Sequence, residues 1–453
     1  MAFQKFLNKF KGQDIALALM TLLMTLNVQS QSLKEAVQAT KEVDPSLRAS
    51  YKNRQATQEN FELAKSRLLP QVYLQGSRQQ LTQTTTQDTL LGPQSKTFTG
   101  PSVSDQLVIR QGLIRPKDVM GLDLARAQTQ HGENKYLSEL TDASVRATTA
   151  WLEVLAAQKH VELNQVFLLS SEESAKQEIS RFARGDSTKD AMIEAQAQYE
   201  NAKAIYVESM QGLMAKQQAY TLLTKLSSEP LKGRKFPELK FDTLKMDDRA
   251  NVWQRIVEAS PDLAAAKMME TIQNVRLSQS GTDHFPTLDF VASLNKAQND
   301  ATATQGYRYQ NTQVGVQYNI PIFSGGGVNA AQRQALSIFE ASTADREALV
   351  QRMEIDFVNS WTTQVGLIER IKAAESLKES ALEQRKATER AVVHGLKTWA
   401  EKANAELNVA RRSIDAINAQ LSFYKVQLRI LRMLPMNELL WQRFLADLDA
   451  KSV

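Results

Sequence analysis

The sequence has 453 residues, with 55 Lys and Arg against 50 Asp and Glu, a formal charge of +5 and no cysteine. The small positive excess forms no basic block, which argues against nucleic acid as a partner, and the missing cysteine excludes disulfides, a thiol nucleophile and a lipid-modified cysteine. His131, His160, His284 and His394 lack ligand partners at helical spacing and no serine sits in a nucleophile elbow, so no metal, no cofactor and no enzyme activity is expected.

At the N-terminus, Lys5, Lys9 and Lys11 precede an apolar run from Ile15 to Val28 and then Gln29, Ser30, Gln31 and Ser32. A basic head, a short apolar segment and a small residue at the cut describe a secretory signal peptide over residues 1–30. An uncleaved anchor is the competing reading. Cleavage would lower the formal charge to about +3, since the segment holds three Lys and one Asp. Beyond it, no run approaches the ~18 apolar residues of a membrane helix, which leaves other ways of crossing a membrane open.

Residues 33–68 read as a helix interrupted at Asp44-Pro45-Ser46 and ended by Leu69-Pro70. The period then changes to two. Val72 and Leu74 alternate with Gln71, Gln75 and Ser77, which gives a strand over about 70–80. After a polar stretch from Thr82 to Gly100, read as a loop, Val103, Leu107 and Ile109 mark a second strand over about 102–111. Asp105 breaks its apolar phase.

From Leu113 to Phe182 there is no proline beyond Pro116, so about 70 residues form one helix, ~105 Å long. Leu140, Ala143, Ala147, Ala150, Val154, Ala157 and Val161 recur at spacings of three and four, the seam of an alanine-rich coiled coil. This stretch alone is equally compatible with a soluble helical hairpin or a spectrin-like rod. Arg184-Gly185-Asp186-Ser187-Thr188 turns the chain, and a second helix runs to about Lys225. A linker with Pro230 and Pro237 fills 227–249.

The layout then returns. Trp151 and Trp361, Gly185 and Gly395, and Thr188 and Thr398 all stand 210 residues apart; Pro45 and Pro261, and Pro70 and Pro286, stand 216 apart. The mature chain is therefore two repeats, 31–249 and 250–453. The second has strands over about 286–296 (Leu288, Phe290, Ala292, Leu294) and 312–323 (Val314, Val316, Tyr318, Ile320, Ile322), a tip turn near 395 and a C-terminal segment 434–453. Gly325-Gly326-Gly327 lacks the Lys-Ser/Thr of a phosphate loop and reads as a passage from strand to helix. Two short helices in each repeat sum to about the length of the long one. The leftover 227–249 and 434–453 would then both lie at the junction, at the equator.

Strands of about ten residues with one apolar face have the length and pattern of an outer-membrane barrel, and four strands cannot close a barrel within one chain. At this point the chain resembles the TolC-like outer-membrane factors of efflux and type I secretion, carried by the duplicated layout and by Arg181-Phe182-Ala183-Arg184-Gly185-Asp186-Ser187-Thr188, Ala195-Gln196-Ala197-Gln198-Tyr199 and Gly395-Leu396-Lys397-Thr398. The resemblance covers nearly all of the mature chain. It implies a mainly α protein with a small β part: a homotrimer whose 12-stranded barrel in outer-membrane lipid continues as a helical periplasmic tunnel.

It further implies a periplasmic adaptor and an inner-membrane ABC or proton-driven transporter as partners, with the cargo a protein or small molecules. By position, Gly185, Asp186, Ser187 and Thr188 and Gly395, Leu396, Lys397 and Thr398 would be adaptor-docking tips. The family's entrance acids fall on Glu401 and Asn404, with Ala191 and Glu194 in the first repeat, so the pattern is half kept. Glu401 would form a ring of three carboxylates at the constriction, or be a solvated helix-surface residue. His394 reads as a helix C-terminal cap. The rival from another class is a soluble periplasmic coiled-coil adaptor or scaffold, which would share the helices but need no paired strands.

Overall fold

The computed structural model describes residues 32–90, 92–239, 248–300 and 306–452. The expected signal peptide lies outside them, as does part of the 227–249 linker. In chain order the elements are α1 (Leu33–Val43), α2 (Pro45–Ser66), β1 (Gln71–Thr89), β2 (Gly92–Ile114), α3 (Pro116–Ala183), α4 (Lys189–Thr224), α5 (Arg249–Ala259), α6 (Pro261–Gly281), β3 (Thr287–Asn299), β4 (Tyr307–Asn319), α7 (Gly327–Val393), α8 (Trp399–Leu431) and α9 (Leu439–Lys451).

Local chemistry sets the helix boundaries. Ser32 opens α1 with a capping box, accepting from Glu35 N–H while the Glu35 carboxylate accepts from Ser32 N–H. Asp44 and Ser260 then adopt extended backbone, ψ 120° and 123°, because each precedes a proline. Both repeats thus break at the same place, and each proline starts the next helix. Asp44 also accepts from the N–H groups of Ser46 and Leu47, at 2.8 and 3.1 Å, and so caps α2.

The chain divides into two compact units. One holds Ser50–Tyr136 and Pro261–Arg352 and contains the sheet. The four strands form an antiparallel meander in the order β1-β2-β3-β4. Its register carries one apolar row across the sheet, Val72 to Ile109 to Ala292 to Val314, and a second row of Leu74, Leu107 and Leu294 that ends at Thr312. That face is open: Leu74 is 77% and Val314 68% exposed. On the other face, Arg110 approaches Gln317 at 3.4 Å and Asp289 at 3.3 Å. At the sheet's base Asp289, 6% exposed, accepts from Arg115 Nε and Nη2 at 2.7 and 2.6 Å.

The strands run further than their alternation indicates. Residues 82–100, read as a loop, continue the β1–β2 pairing to a hairpin turn at Gly92, φ +103°. Thr82 bonds Thr99, Thr84 bonds Thr97 and Thr86 bonds Ser95 across the strands, at 3.0, 2.9 and 2.7 Å. A ladder of hydroxyls thus links the strands on the face that carries no apolar side chain there. The last strand ends at Asn319, short of 323, because Pro321 cannot donate to a ladder. Asp105, the exception in its strand, is bound by Arg78 at 2.8 Å and stands opposite Lys296, so the apolar face ends there in paired charge.

The other unit holds the segment ending at Ala49, Leu137–Ser260 and Met353–Val453. Along α3, Ala143, Ala147, Val154 and Phe167 are buried, and Phe167 packs with Ala202 of α4 and Ala410 of α8. Small side chains at these crossings let the helices approach closely. The linker and the C-terminal segment lie together. Lys235 N–H donates to Ser452 O at 2.9 Å and Arg234 donates to Asp449 at 3.0 Å. Tyr424 OH donates to Pro237 O at 3.0 Å, and its ring meets Phe236, Phe423 and Phe444 edge-on.

Candidate functional site: the two helical tips

The turns α3–α4 and α7–α8 are built alike. Each long helix ends in a glycine of left-handed conformation, Gly185 at φ +82° and Gly395 at φ +71°. The following amide reaches back across the last turn, Asp186 N–H to Arg181 O and Leu396 N–H to Ala391 O, both 2.8 Å. The glycine N–H groups close the inner bond on Phe182 O and Val392 O, both 3.0 Å. This double bond pattern needs an αL residue, which glycine adopts without steric cost. His394 is the last residue before the second glycine, and its N–H donates to Arg390 O.

Threonine then restarts each chain. Thr188 Oγ1 accepts from Ala191 N–H at 3.2 Å, and Thr398 Oγ1 accepts from Glu401 N–H at 3.1 Å. Only the second tip completes a capping box, because Glu401 Oε2 accepts from Thr398 N–H at 2.8 Å. Lys397 Nζ lies 3.9 Å from the same carboxylate. Within one chain Glu401 is therefore occupied as a cap, with its side chain 48% exposed. Asn404 and Glu194 are exposed, and among the described residues no hydrogen bond or ion pair joins either to Glu401.

A further pair at each tip escapes the sequence reading. Glu178 of α3 is buried and accepts from Ser187 Oγ in the turn. At the matching positions 210 residues on, Thr388 of α7 is buried and accepts from Lys397 Nζ at 3.4 Å. Each long helix thus holds its own turn by one buried acceptor, carboxylate to hydroxyl in one repeat and hydroxyl to ammonium in the other. The 210-residue offset relates Glu178 to Thr388, but nothing in the sequence marks either as a buried acceptor. The second tip also presents Val393 and Leu396, 77% and 80% exposed, as a small apolar knob. Behind it Lys402 reaches Glu173 of α3 at 3.7 Å and lies 4.9 Å over the Trp399 ring.

Higher on the helices, burial pushes the Glu153 carboxyl up, but hydrogen bonds from Lys425 and from Lys216 at 2.9 Å outweigh it and hold Glu153 below the usual carboxylate range. Burial holds the His160 imidazole below its ordinary value, so it stays neutral at neutral pH. No group of three or more His, Cys, Asp or Glu among the described residues could hold a metal.

No described helix is long and apolar enough to cross a membrane. An exposed apolar sheet face on strands of 13 to 23 residues, joined to paired long helices with glycine tips, defines a channel-forming protein that crosses the membrane by its strands. Comparison with known proteins bears on this directly. The outer membrane efflux protein family model matches residues 252–434. The alkaline protease secretion protein AprF of Pseudomonas aeruginosa is 25% identical over 369 residues, 81% of this chain and 76% of that protein. The proteases secretion protein PrtF of Dickeya chrysanthemi is 25% identical over 428 residues, 91% of this chain and 89% of that one. Among solved structures, the CmeC outer membrane channel of Campylobacter jejuni superposes with a TM-score of 0.73 at 12% identity, covering 93% of this chain and 90% of its own.

The chain thus matches the outer membrane efflux protein family over residues 252–434 and is similar along most of its length to outer-membrane secretion factors. It is an outer-membrane exit channel with its helical part in the periplasm, and neither an enzyme nor a soluble adaptor. Channels of this family work with periplasmic adaptors and inner-membrane transporters.

Proposed function

We propose that this chain is the exit duct of a type I protein-secretion system, and that it acts as a homotrimer. The observation that carries the cargo is the alignment with PrtF, a proteases secretion protein, over 91% of this chain and 89% of that one. The observation that carries the trimer is the four-stranded meander. Its outer strands β1 and β4 leave edges that three copies would pair into 12 strands. The energy would come from an inner-membrane ABC transporter, and the adaptor would engage the turns at Gly185–Thr188 and Gly395–Thr398. In the trimer three copies of Glu401 would meet at the periplasmic entrance, with Asn404 and Glu194 nearby, and favour cations there.

Small-molecule efflux is the second reading, favoured by the match to the outer membrane efflux protein family over 252–434. Deleting the gene separates the two. Loss of a secreted protein from the medium, with drug tolerance unchanged, supports protein export; loss of drug tolerance with secretion intact overturns it. Detergent extraction from the outer membrane followed by sizing tests the trimer, and a monomer or dimer refutes it.

A further inference from the structure

The two hairpins share a backbone plan but differ in what they bury. On α8, Glu406, Ser413 and Gln420 stand seven residues apart and are all buried, which puts them on one face at heptad spacing. They face a cavity of about 780 Å³ whose other walls include Arg385 and Glu375 of α7. Gln420, 4% exposed, donates to Glu375 at 2.9 Å and leaves its Oε1 without a partner. Glu406, 9% exposed, has one long hydrogen bond, from Arg385 Nη1 at 3.4 Å, while Arg385 Nε is buried without a partner. In the first hairpin the matching positions carry no charge: Ala175 stands for Arg385, and exposed Gln196 for Glu406.

We propose that Glu406 is a proton-sensitive element of the second hairpin: uptake of one proton there tightens the packing of α8 against α7, and its release loosens the same contact.

The other charges around Glu406 do not cancel its burial. On α7, Glu375 pairs with Lys378 at 2.9 Å, and on α3 Lys159 pairs with Glu162 at 2.7 Å. From the linker, Arg234 is taken by Asp449 at 3.0 Å, and Lys235 and Glu238 also line the cavity. The α4 contribution, Leu213, is uncharged. Burial therefore pushes the Glu406 carboxyl above the ordinary glutamate range; Arg385 and Lys402 pull it back and Glu389 of α7 adds to the rise.

The sign follows from linkage. A carboxyl whose packed-state pKa is raised holds its proton more tightly when packed than when solvated, so packing is favoured at low pH and that gain is lost as pH rises through the packed-state value. Above it the hairpin buries an ion that hydration would stabilise, and any unpacking that wets Glu406 is favoured.

Hydrogen exchange on the full chain in detergent tests this without cargo or conductance, so its failure is distinct from failure of the secretion reading. Protection of peptides covering residues 380–410, corrected for intrinsic rates, is compared between about pH 5 and about pH 7.5. The wild type should gain protection on acidification, by up to about tenfold per pH unit within the window. Glu406→Gln should be flat at the acid level, and Arg385→Gln, stripped of the counter-charge, should shift the transition to higher pH. Glu383→Gln, an exposed partner of Lys386 on α7, should keep the wild-type profile. A flat wild type, or a Glu406→Gln protein that keeps the wild-type pH dependence, overturns the proposal.

Discussion

The strictest test of the tip geometry is Gly395→Val. An ideal Cβ at this position meets no atom within 4 Å, so the added Cβ is not crowded. What remains is the backbone, held at φ +71°, where an L-residue costs about 1–2 kcal/mol and a β-branched one more. That penalty falls on a turn closed by two bonds, Leu396 N–H to Ala391 O and Gly395 N–H to Val392 O. It is expected to raise the population of the opened turn about 5–30-fold. Trypsin cleavage after Lys397 at low protease reads that population, because it tracks the opened form when closing is fast. Gly395→Asn, which tolerates the left-handed region, should be cut at close to the wild-type rate. Gly185→Val, at φ +82° and equally unobstructed, should behave like its counterpart with cleavage after Arg184. Equal cleavage of the Val and Asn variants refutes the conformational argument. A change in oligomer size would mean that the tip does more than turn the chain.

Asp44 tests the helical unit. Burial pushes its carboxyl up, but the Arg146 hydrogen bond at 2.9 Å and the Leu47 and Ser46 amides outweigh this and leave it below the usual range. Its stabilisation is therefore present above the unfolded carboxylate value of about 4 and is lost as pH falls through the folded one. Asp44→Asn should flatten the acid part of the melting-temperature profile, and parallel wild-type and variant profiles would contradict this. Asp289→Asn strips the charge from a nearly buried acceptor of two Arg115 bonds, while Arg115 is a third exposed and keeps Asp118 at 3.5 Å, and should cost about 1–3 kcal/mol, read as loss of heat resistance of the detergent-extracted protein. An unchanged melting point would remove Asp289 as an anchor of the sheet. Glu401→Gln should lower cation selectivity in a planar bilayer while the oligomer persists, and unchanged selectivity would leave Glu401 a helix cap and nothing more.

The helices were legible because their signals are redundant. Pro45 and Pro261 mark the breaks, Gly185 and Gly395 the tips, and one offset ties each pair together. Strand existence was legible from alternation, but strand length was not. Residues 82–100 carry Thr, Gln and Ser on both faces, a composition that resembles a loop, and it is side-chain hydroxyls facing each other across the register that keep them paired. The role of Glu401 was half visible. Thr398-Trp399-Ala400-Glu401 has capping-box spacing, and the carboxylate fills that role whatever else a trimer adds. Glu178 and Thr388 were hidden because a buried acceptor on a long helix looks like any other residue until the turn it holds is in place.

Duplication gives each half of this chain an internal control, and the divergences are informative for that reason. Two turns with the same glycine conformation, the same backbone bonds and the same threonine cap cannot owe their differences to folding requirements they share. Those differences fall on the side chains: Ser187 against Lys397, Glu178 against Thr388, Ala191 against Glu401, and Gln196 against Glu406. In each pair the charge changes while the backbone is kept. A tip made only to turn a helix would not need that. At these positions the first repeat holds one charge, the buried Glu178 carboxylate, and the second holds the Lys397 ammonium and the Glu401 capping carboxylate at the surface beside exposed Val393 and Leu396. Two chemically different tips on one backbone are what a channel needs if its two hairpins are to be treated differently by whatever engages them.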